Sequence, residues 1–253
     1  MGDGCRTVVI LNERRQGRVI RVTETGSTNA DLLALARTGV SEGLWLQADR
    51  QSAGRGRMGR DWVSPFGNLY ASTLVRLRPS DPPAATLAMV AAIALDDAVA
   101  THINLQEPVS LALKWPNDLL LDGAKLSGIL LERSDDAIVI GIGVNLATHP
   151  DLADRRATSL AAHGTVVSTA NFLDTLAESF ARWRDRWRGE GIAIIRTRWL
   201  ERAHPVGAAL VARQPDGDRV EGLFDGLDAD GALILRLADG TRRVIYAADV
   251  FAI

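Results

Sequence analysis

The hydrophobic pattern of this chain changes once, near His204–Pro205, and the change limits what it can fold into. Ahead of that point two kinds of apolar segment alternate. GRVIRVTET (17–25), LWLQAD (44–49), NLYASTLVRL (68–77) and DAIVIGIGVNL (136–146) are short, rich in β-branched residues, and predict strands. SLALKW, DLLL and KLSGILLE predict a strand meander with a turn at Asp122–Gly123. STNADLLALARTG (27–39) predicts a helix, with Ser27 or Thr28 placed to cap its start and Gly39 to stop it. PPAATLAMVAAIALDDAVATHI (82–103) predicts a buried helix, because it is apolar on most faces. TANFLDTLAESFARWRDRWR (169–188) and IAIIRTRWLERA (192–203) predict two more. Beyond residue 204 only period two remains. AALVARQ, RVEGLFDGL, GALILRL and TRRVIYAADVFAI are separated by PDGD, DADG and ADG, which are hairpin turns. Four or five short strands in a tail of about 49 residues predict a small closed or nearly closed β-barrel. The expected division is a first domain over 1–203 and a second over 204–253.

Composition removes several function classes. The 253 residues suit one large domain, or one large plus one small. The formal net charge is −2, so no overall basic field attracts nucleic acid or an anionic membrane. A single cysteine, Cys5, forbids an internal disulfide and a multi-cysteine metal site. The four histidines fit no metal-ligand spacing. The first apolar run is too short for a signal peptide, and no run reaches the roughly 18 apolar residues of a membrane span. A cytoplasmic setting is expected.

Of the 29 Lys+Arg, only Lys114 and Lys125 are lysine. Both fall in KWPNDLLLDGAK. Lysine is a compact point charge and arginine a broad planar fork. A site that must put one small cation beside a carboxylate or phosphate oxygen needs the first. KWPND also sets Asn117 and Asp118 beside Lys114, where they could simply form a turn, or could meet a ligand. Residues 50–67, RQSAGRGRMGRDWVSPFG, carry four glycines and four arginines with no hydrophobic period. Such a loop either binds an anion through backbone N–H groups and guanidinium groups, or is a basic surface loop. It is not a P-loop, since it lacks GK[ST] and lies between two strands. GIGVN (141–145) places glycines inside a strand, a mark of close approach by a ligand or by a packed side chain. GSTN (26–29) is a helix start that also offers hydroxyls and free N–H groups to a polar head group. ARWRDRWR could be a basic aromatic RNA-binding face, or a helix whose tryptophans are core and whose arginines are solvated.

Taken together, GSTN, QSAGRGRMGRDWVSPFGNLY, LKWPNDLLLDGAKLSGILLE and IVIGIGVNL resemble biotin–protein ligases in order and spacing. The resemblance runs from about residue 18 to the end. The pairing of GRGRxGR with KWPND is its most specific part, since lipoate ligases of related fold lack it. It implies an α+β fold: a mixed sheet with flanking helices, of the class II aminoacyl-tRNA-synthetase and biotin-ligase-like kind, plus a small C-terminal SH3-like β-barrel. It implies ATP and biotin as substrates, with Mg2+ carried on the phosphates, the metal ligands being unknown. The reaction would form biotinyl-5′-AMP and pass the biotinyl group to a lysine of a biotin carboxyl carrier domain.

Carried over by position, Ser27, Thr28, Asn29 and Gln51 would contact the ureido ring and pocket wall. Arg55, Gly56 and Arg57 would form the loop over biotin and phosphate, with Arg60 at the nucleotide and Trp62 as a cover. Lys125 would hold the biotin carboxyl group. Lys114 would neutralise phosphate. Asp118 would help activate the incoming lysine or hold a metal-linked water. Asn117 and Asn145 would contact nucleotide phosphate or ribose. Residues 50–66 are expected to be mobile without ligand, given their glycines and lack of apolar anchors. Only about 17 residues precede the first core strand, too few for the DNA-binding domain of bifunctional relatives. No DNA partner and no repressor activity are therefore expected, and the protein should be a monomer or weak homodimer.

Overall fold

The computed structural model describes residues 12–14, 17–103, 109–152 and 155–252. Its chain order is β1 (Asn12–Arg14), β2 (Gly17–Thr25), α1 (Thr28–Arg37), β3 (Trp45–Gln51), β4 (Leu69–Arg76), α2 (Leu87–His102), β5 (Leu111–Lys114), β6 (Asp118–Leu121), β7 (Ala124–Ser134) and β8 (Ala137–Val144). Helices α3 (Thr169–Glu190) and α4 (Ile192–Leu200) follow. The chain closes with β9 (Ala209–Arg213), β10 (Arg219–Leu227), β11 (Leu233–Arg236), β12 (Arg242–Ile245) and β13 (Asp249–Ala252). The strand and helix segments read from the sequence are all present. The short β1, paired to β2, was not among them.

Eight strands form one mixed sheet in the order β1-β2-β3-β4-β8-β7-β6-β5. Among the described residues its one parallel strand pair is β2 with β3, joined by the crossover helix α1. The turn between β6 and β7 has φ 49° at Asp122 and 71° at Gly123, the left-handed pair that lets a two-residue hairpin follow strand twist.

Alternation assigns the two faces. Val75, Ile138 and Ile140 point into the main core with α2, α3 and α4, while Leu74 and Val139 point the other way, onto Leu32 and Ala36 of α1. Helix α2 is apolar on most faces because most of it is covered; with the turn before it, Ala84–His102 has a mean hydropathy of 1.6 and is a core helix.

The tryptophans of ARWRDRWR are core. Trp183 and Trp187 are buried, and Trp187 Nε1 donates to Thr86 Oγ1 at 2.8 Å. The arginines around them carry partners. Arg188 forks onto Glu42, Arg182 reaches Asp97, and Arg186 pairs with Glu190. The segment is thus an ion-paired helix on a core, not a free basic face.

The C-terminal strands form a five-stranded antiparallel sheet in the order β12-β11-β10-β9-β13, of the SH3-like kind. Its end strands β12 and β13 do not pair with each other among the described residues, so the ring is not closed as a barrel. Both end strands are only four residues long, which leaves little ladder for closure. This sheet shares the main core, with Phe224, Leu233 and Val250 in the same apolar cluster as α2. Trp115 Nε1 donates to the Gly231 carbonyl at 3.1 Å and Arg196 Nη1 to the Asp228 carbonyl at 3.0 Å, tying the two parts together.

Candidate functional site

The α1 face of the sheet is stripped of side chains where β7 and β8 meet. Gly128, Gly141 and Gly143 point there, and other residues occupy the room a Cβ would need. A Cβ on Gly141 would collide with Asn29, one on Gly128 would lie 2.9 Å from the Trp62 ring, and one on Gly143 would lie 2.5 Å from it. The glycines of GIGVN thus permit close approach by two residues from elsewhere in the chain. The result is a cleft of about 360 Å³. Ser27, Thr28, Asn29, Gln51, Arg55, Gly56, Arg57, Arg60, Trp62, Lys114, Asn117, Asp118, Lys125 and Asn145 all line it.

One end of the cleft is neutral and closely hydrogen-bonded. The expected cap at α1 takes a different form: Ser27 occupies the N-cap position but its side chain makes no capping bond. Gln51 Oε1 does the work from β3, accepting from the Thr28 N–H at 2.8 Å and from Thr28 Oγ1 at 3.1 Å. Ser72 Oγ lies 2.7 Å from both Thr28 Oγ1 and Asn29 Oδ1, and its one hydrogen goes to Asn29 Oδ1, which can only accept. Asn29 Nδ2 donates to Glu132 Oε2 at 2.8 Å. A buried network of this kind holds each polar group in one orientation.

The other end is cationic. Asp118 lies between the two lysines, with Lys125 Nζ 2.7 Å from Oδ1 and Lys114 Nζ 4.0 Å from Oδ2. Lys114 ends β5, Asp118 opens β6 and Lys125 lies in β7, so the meander gathers the three onto one spot. The peptide bond between Trp115 and Pro116 in this segment is cis. Burial lowers the Lys114 pKa below its ordinary value; Asp118 opposes the fall, and Lys125 and Arg155 add to it. Burial likewise pulls Arg57 down, against Asp249 and Asp118, though a guanidinium stays charged. Arg55, Arg57, Arg60, Lys114, Lys125 and Arg155 line the cleft against Asp61, Asp118 and Asp249, an excess of positive charge that suits an anion. Asn117 Nδ2 donates to the Ile129 carbonyl at 2.6 Å and its Oδ1 accepts from Arg57. Asn145 Nδ2 donates to the Thr158 carbonyl at 3.0 Å, so it also braces the segment that carries Arg155 and Ala157 at the cleft edge.

The glycine–arginine loop is folded over the cleft. Gly56 N–H donates to the Arg60 carbonyl at 2.7 Å and Trp62 N–H to the Gly54 carbonyl at 2.9 Å. The expected lack of apolar anchors does not hold. Trp62 is the anchor, resting on the glycine strip with Lys125 Nζ 5.5 Å from its ring centroid. Trp62 Nε1 is buried without a hydrogen-bond partner among the described residues.

Sequence reasoning missed Ser72, Glu132, Arg155 and Asp249. Each stands in an ordinary alternating or polar stretch, and no local pattern separates it from its neighbours.

Comparison with known proteins gives the same picture. The profile of the biotin/lipoate A/B protein ligase family matches residues 16–145, and that of the biotin protein ligase C terminal domain matches 211–252. A biotin--[acetyl-CoA-carboxylase] ligase of Paracoccus denitrificans is 45% identical over 243 residues, covering 91% of this chain and 98% of that protein. A Mycobacterium tuberculosis enzyme of the same name is 36% identical over 238 residues, covering 90% of this chain and 86% of that one. Among solved structures, the Aquifex aeolicus biotin protein ligase in complex with biotin and ATP superposes with a TM-score of 0.81 at 26% identity, over 93% of this chain and 99% of that one. With its two matched profiles, its glycine-floored cleft and its paired lysines, the chain belongs to the biotin/lipoate A/B protein ligase family, among the biotin–protein ligases.

Proposed function

We propose that this enzyme uses ATP to activate biotin as biotinyl-5′-AMP and transfers the biotinyl group to one lysine of a biotin carboxyl carrier domain, as in acetyl-CoA or acyl-CoA carboxylases. The carrying observation is the cleft's division. A neutral, orientation-locked end at Ser27, Thr28, Asn29 and Gln51, where Arg55 and Glu132 offset each other, adjoins a cationic end at Lys114, Lys125, Arg57 and Arg60. A polar ring with a carboxylate tail and a polyphosphate can lie across the two.

In the first step a biotin carboxylate oxygen attacks the α-phosphorus, a P–O bond forms, and the bond to pyrophosphate breaks. Two anions must approach, so fixed cations lower the barrier. Lys125 holds the carboxylate and then the acyl-phosphate oxygens. Lys114 and Arg57 neutralise phosphate charge, while Arg60, Asn117 and Asn145 meet the nucleotide. In the second step the acceptor amine attacks the acyl carbon, the C–O bond breaks, and AMP leaves with the electron pair. Asp118, already bridging both lysines, is placed to take the amine's proton. Trp62 covers the intermediate and excludes water. Its unpartnered Nε1–H is a donor that a bound ligand oxygen would satisfy.

Among the described residues no group of three or more His, Cys, Asp or Glu could cage a metal, so the residues present do not form a magnesium site of their own. Mg2+ is taken to arrive on ATP, held by phosphate oxygens, where it screens their charge. We place the domain boundary near residue 204, and the 50–66 loop as mobile until ligand binds. We read the protein as a cytoplasmic monomer or weak homodimer with no DNA or membrane partner, in keeping with a net charge of −2.

Exchange of radiolabelled pyrophosphate into ATP tests the reading. Exchange should require biotin and should not be supported by lipoate or octanoate. Exchange that ignores biotin, or that prefers those acids, would refute it.

A further inference from the structure

The C-terminal sheet enters the cleft at one point, and that point is acidic. Asp249 opens β13 and faces the glycine–arginine loop. Arg60 Nη2 donates to its Oδ1 at 2.9 Å and lies 2.8 Å from its Oδ2. Arg57 Nη1 donates to the neighbouring Ala248 carbonyl at 3.3 Å and lies 3.9 Å from Asp249 Oδ1. Apart from Arg57 on Asn117, the other bonds of this turn are internal to it, from the Gly56 N–H to the Arg60 carbonyl and from the Arg60 N–H to the Arg57 carbonyl. Met58, at its tip, is exposed and has a left-handed φ of 55°. Trp62 fixes the base of the loop, so the tip depends on its charged contacts.

We propose that Asp249 is the latch of this loop. From the C-terminal domain it holds the Arg57–Arg60 turn down over the cleft while the acyl-adenylate waits for the acceptor lysine. This rests on the activity proposed above and gives the C-terminal domain a task in it: retention of the intermediate. Asp249 is a positioning residue that acts through Arg60 and Arg57. The two side chains of the pair are 40% and 20% exposed, so it is partly screened by solvent. Such a pair shifts an open–closed equilibrium by roughly two- to fivefold, enough to decide how often water or a stray amine reaches the anhydride.

The test measures leak against chemistry. Leak is AMP release from biotin and ATP without acceptor, together with biotinylation of added serum albumin. Chemistry is biotin-dependent ATP–pyrophosphate exchange. D249N should raise the ratio of leak to exchange by roughly two- to fivefold, and D249E should restore it. R60Q should leak as D249N does, and the double variant no more than the leakier single one, because both remove one contact. Wild-type leak should also rise between about 0.05 and 0.5 M salt, a dependence D249N should lack. A D249N ratio equal to wild type, additive single effects, or a wild-type ratio flat with salt would each overturn the latch. A D249N that merely unfolds lowers leak and exchange together, and the wild-type salt series still decides. Wild-type protein without biotin-dependent exchange would instead remove the underlying activity, and the latch with it.

Discussion

Replacing Gly143 with alanine adds one methyl group to the floor of the cleft, and its consequence can be worked out from distances. Gly143 has no left-handed φ, so its backbone accepts alanine. The new Cβ would lie 2.5 Å from Trp62 Cε2, 2.6 Å from Cζ2 and 2.7 Å from Nε1. Carbon atoms rest at about 3.5–4.0 Å, so the ring must retreat by about 1 Å. The strand cannot yield instead, since Gly143 is paired with Tyr70 on one side and Gly128 on the other. Overpacking costs about 1–3 kcal/mol, and here the loop absorbs it by moving. Arg57 and Arg60 move with Trp62. A displacement of about 1 Å around reacting atoms costs on the order of 10²-fold in rate. Gly143→Ala should therefore lose about 10²-fold in pyrophosphate exchange while its melting temperature stays within about 4 °C of wild type. Gly26→Ala is the control, because its Cβ would meet nothing within 4 Å. Gly143→Ala exchange within about threefold of wild type would refute the packing argument, because it would show the ring's position to be immaterial.

Three further outcomes are expected. Lys125→Arg should lose at least about 30-fold in exchange, since the wider head cannot repeat the 2.7 Å contact with Asp118 in a confined site, whereas Arg186→Lys on exposed α3 should change little; equal small losses would contradict the need for a compact cation. Burial lowers the Lys114 pKa, so its charge is present at low pH and lost as pH rises, below lysine's ordinary value of about 10.4; kcat/KM for ATP should fall on that alkaline limb, and Lys114→Arg should push the limb upward, an unmoved limb assigning it to another group. Arg188→Ala removes a 9%-exposed guanidinium from Glu42 and Asp81, leaving Glu42 to Arg184 and the Arg76 N–H and Asp81 to the Arg78 N–H, and should cost about 1.5–3 kcal/mol in denaturant unfolding; a loss under about 0.5 kcal/mol would show the pairs to be solvent-compensated.

Local rules were enough for the elements. β-branched runs at period two became β2 to β4 and β8, Asp122–Gly123 became a hairpin turn, and the change of period at residue 204 became a separate five-stranded sheet. The candidate residues were legible for a related reason. Lysines kept in an arginine-rich chain, a glycine–arginine loop and glycines inside a strand are each locally abnormal, and a site tends to be where local rules are broken.

Partners distant along the chain were not legible, because a period of two names the buried face of a strand and not the strand beside it. Nothing in NLYASTLVRL says that β4 pairs with β8 rather than with β5, the next strand along the chain, or that Gln51 rather than Ser27 caps α1. Asp249 meets Arg60 across 189 positions of sequence, and in its own strand it is one more polar residue at an alternating position. Charge complementarity at that range exists only once the two domains pack on a common core. Chain folding, not composition, therefore decided which carboxylate would face the arginine loop.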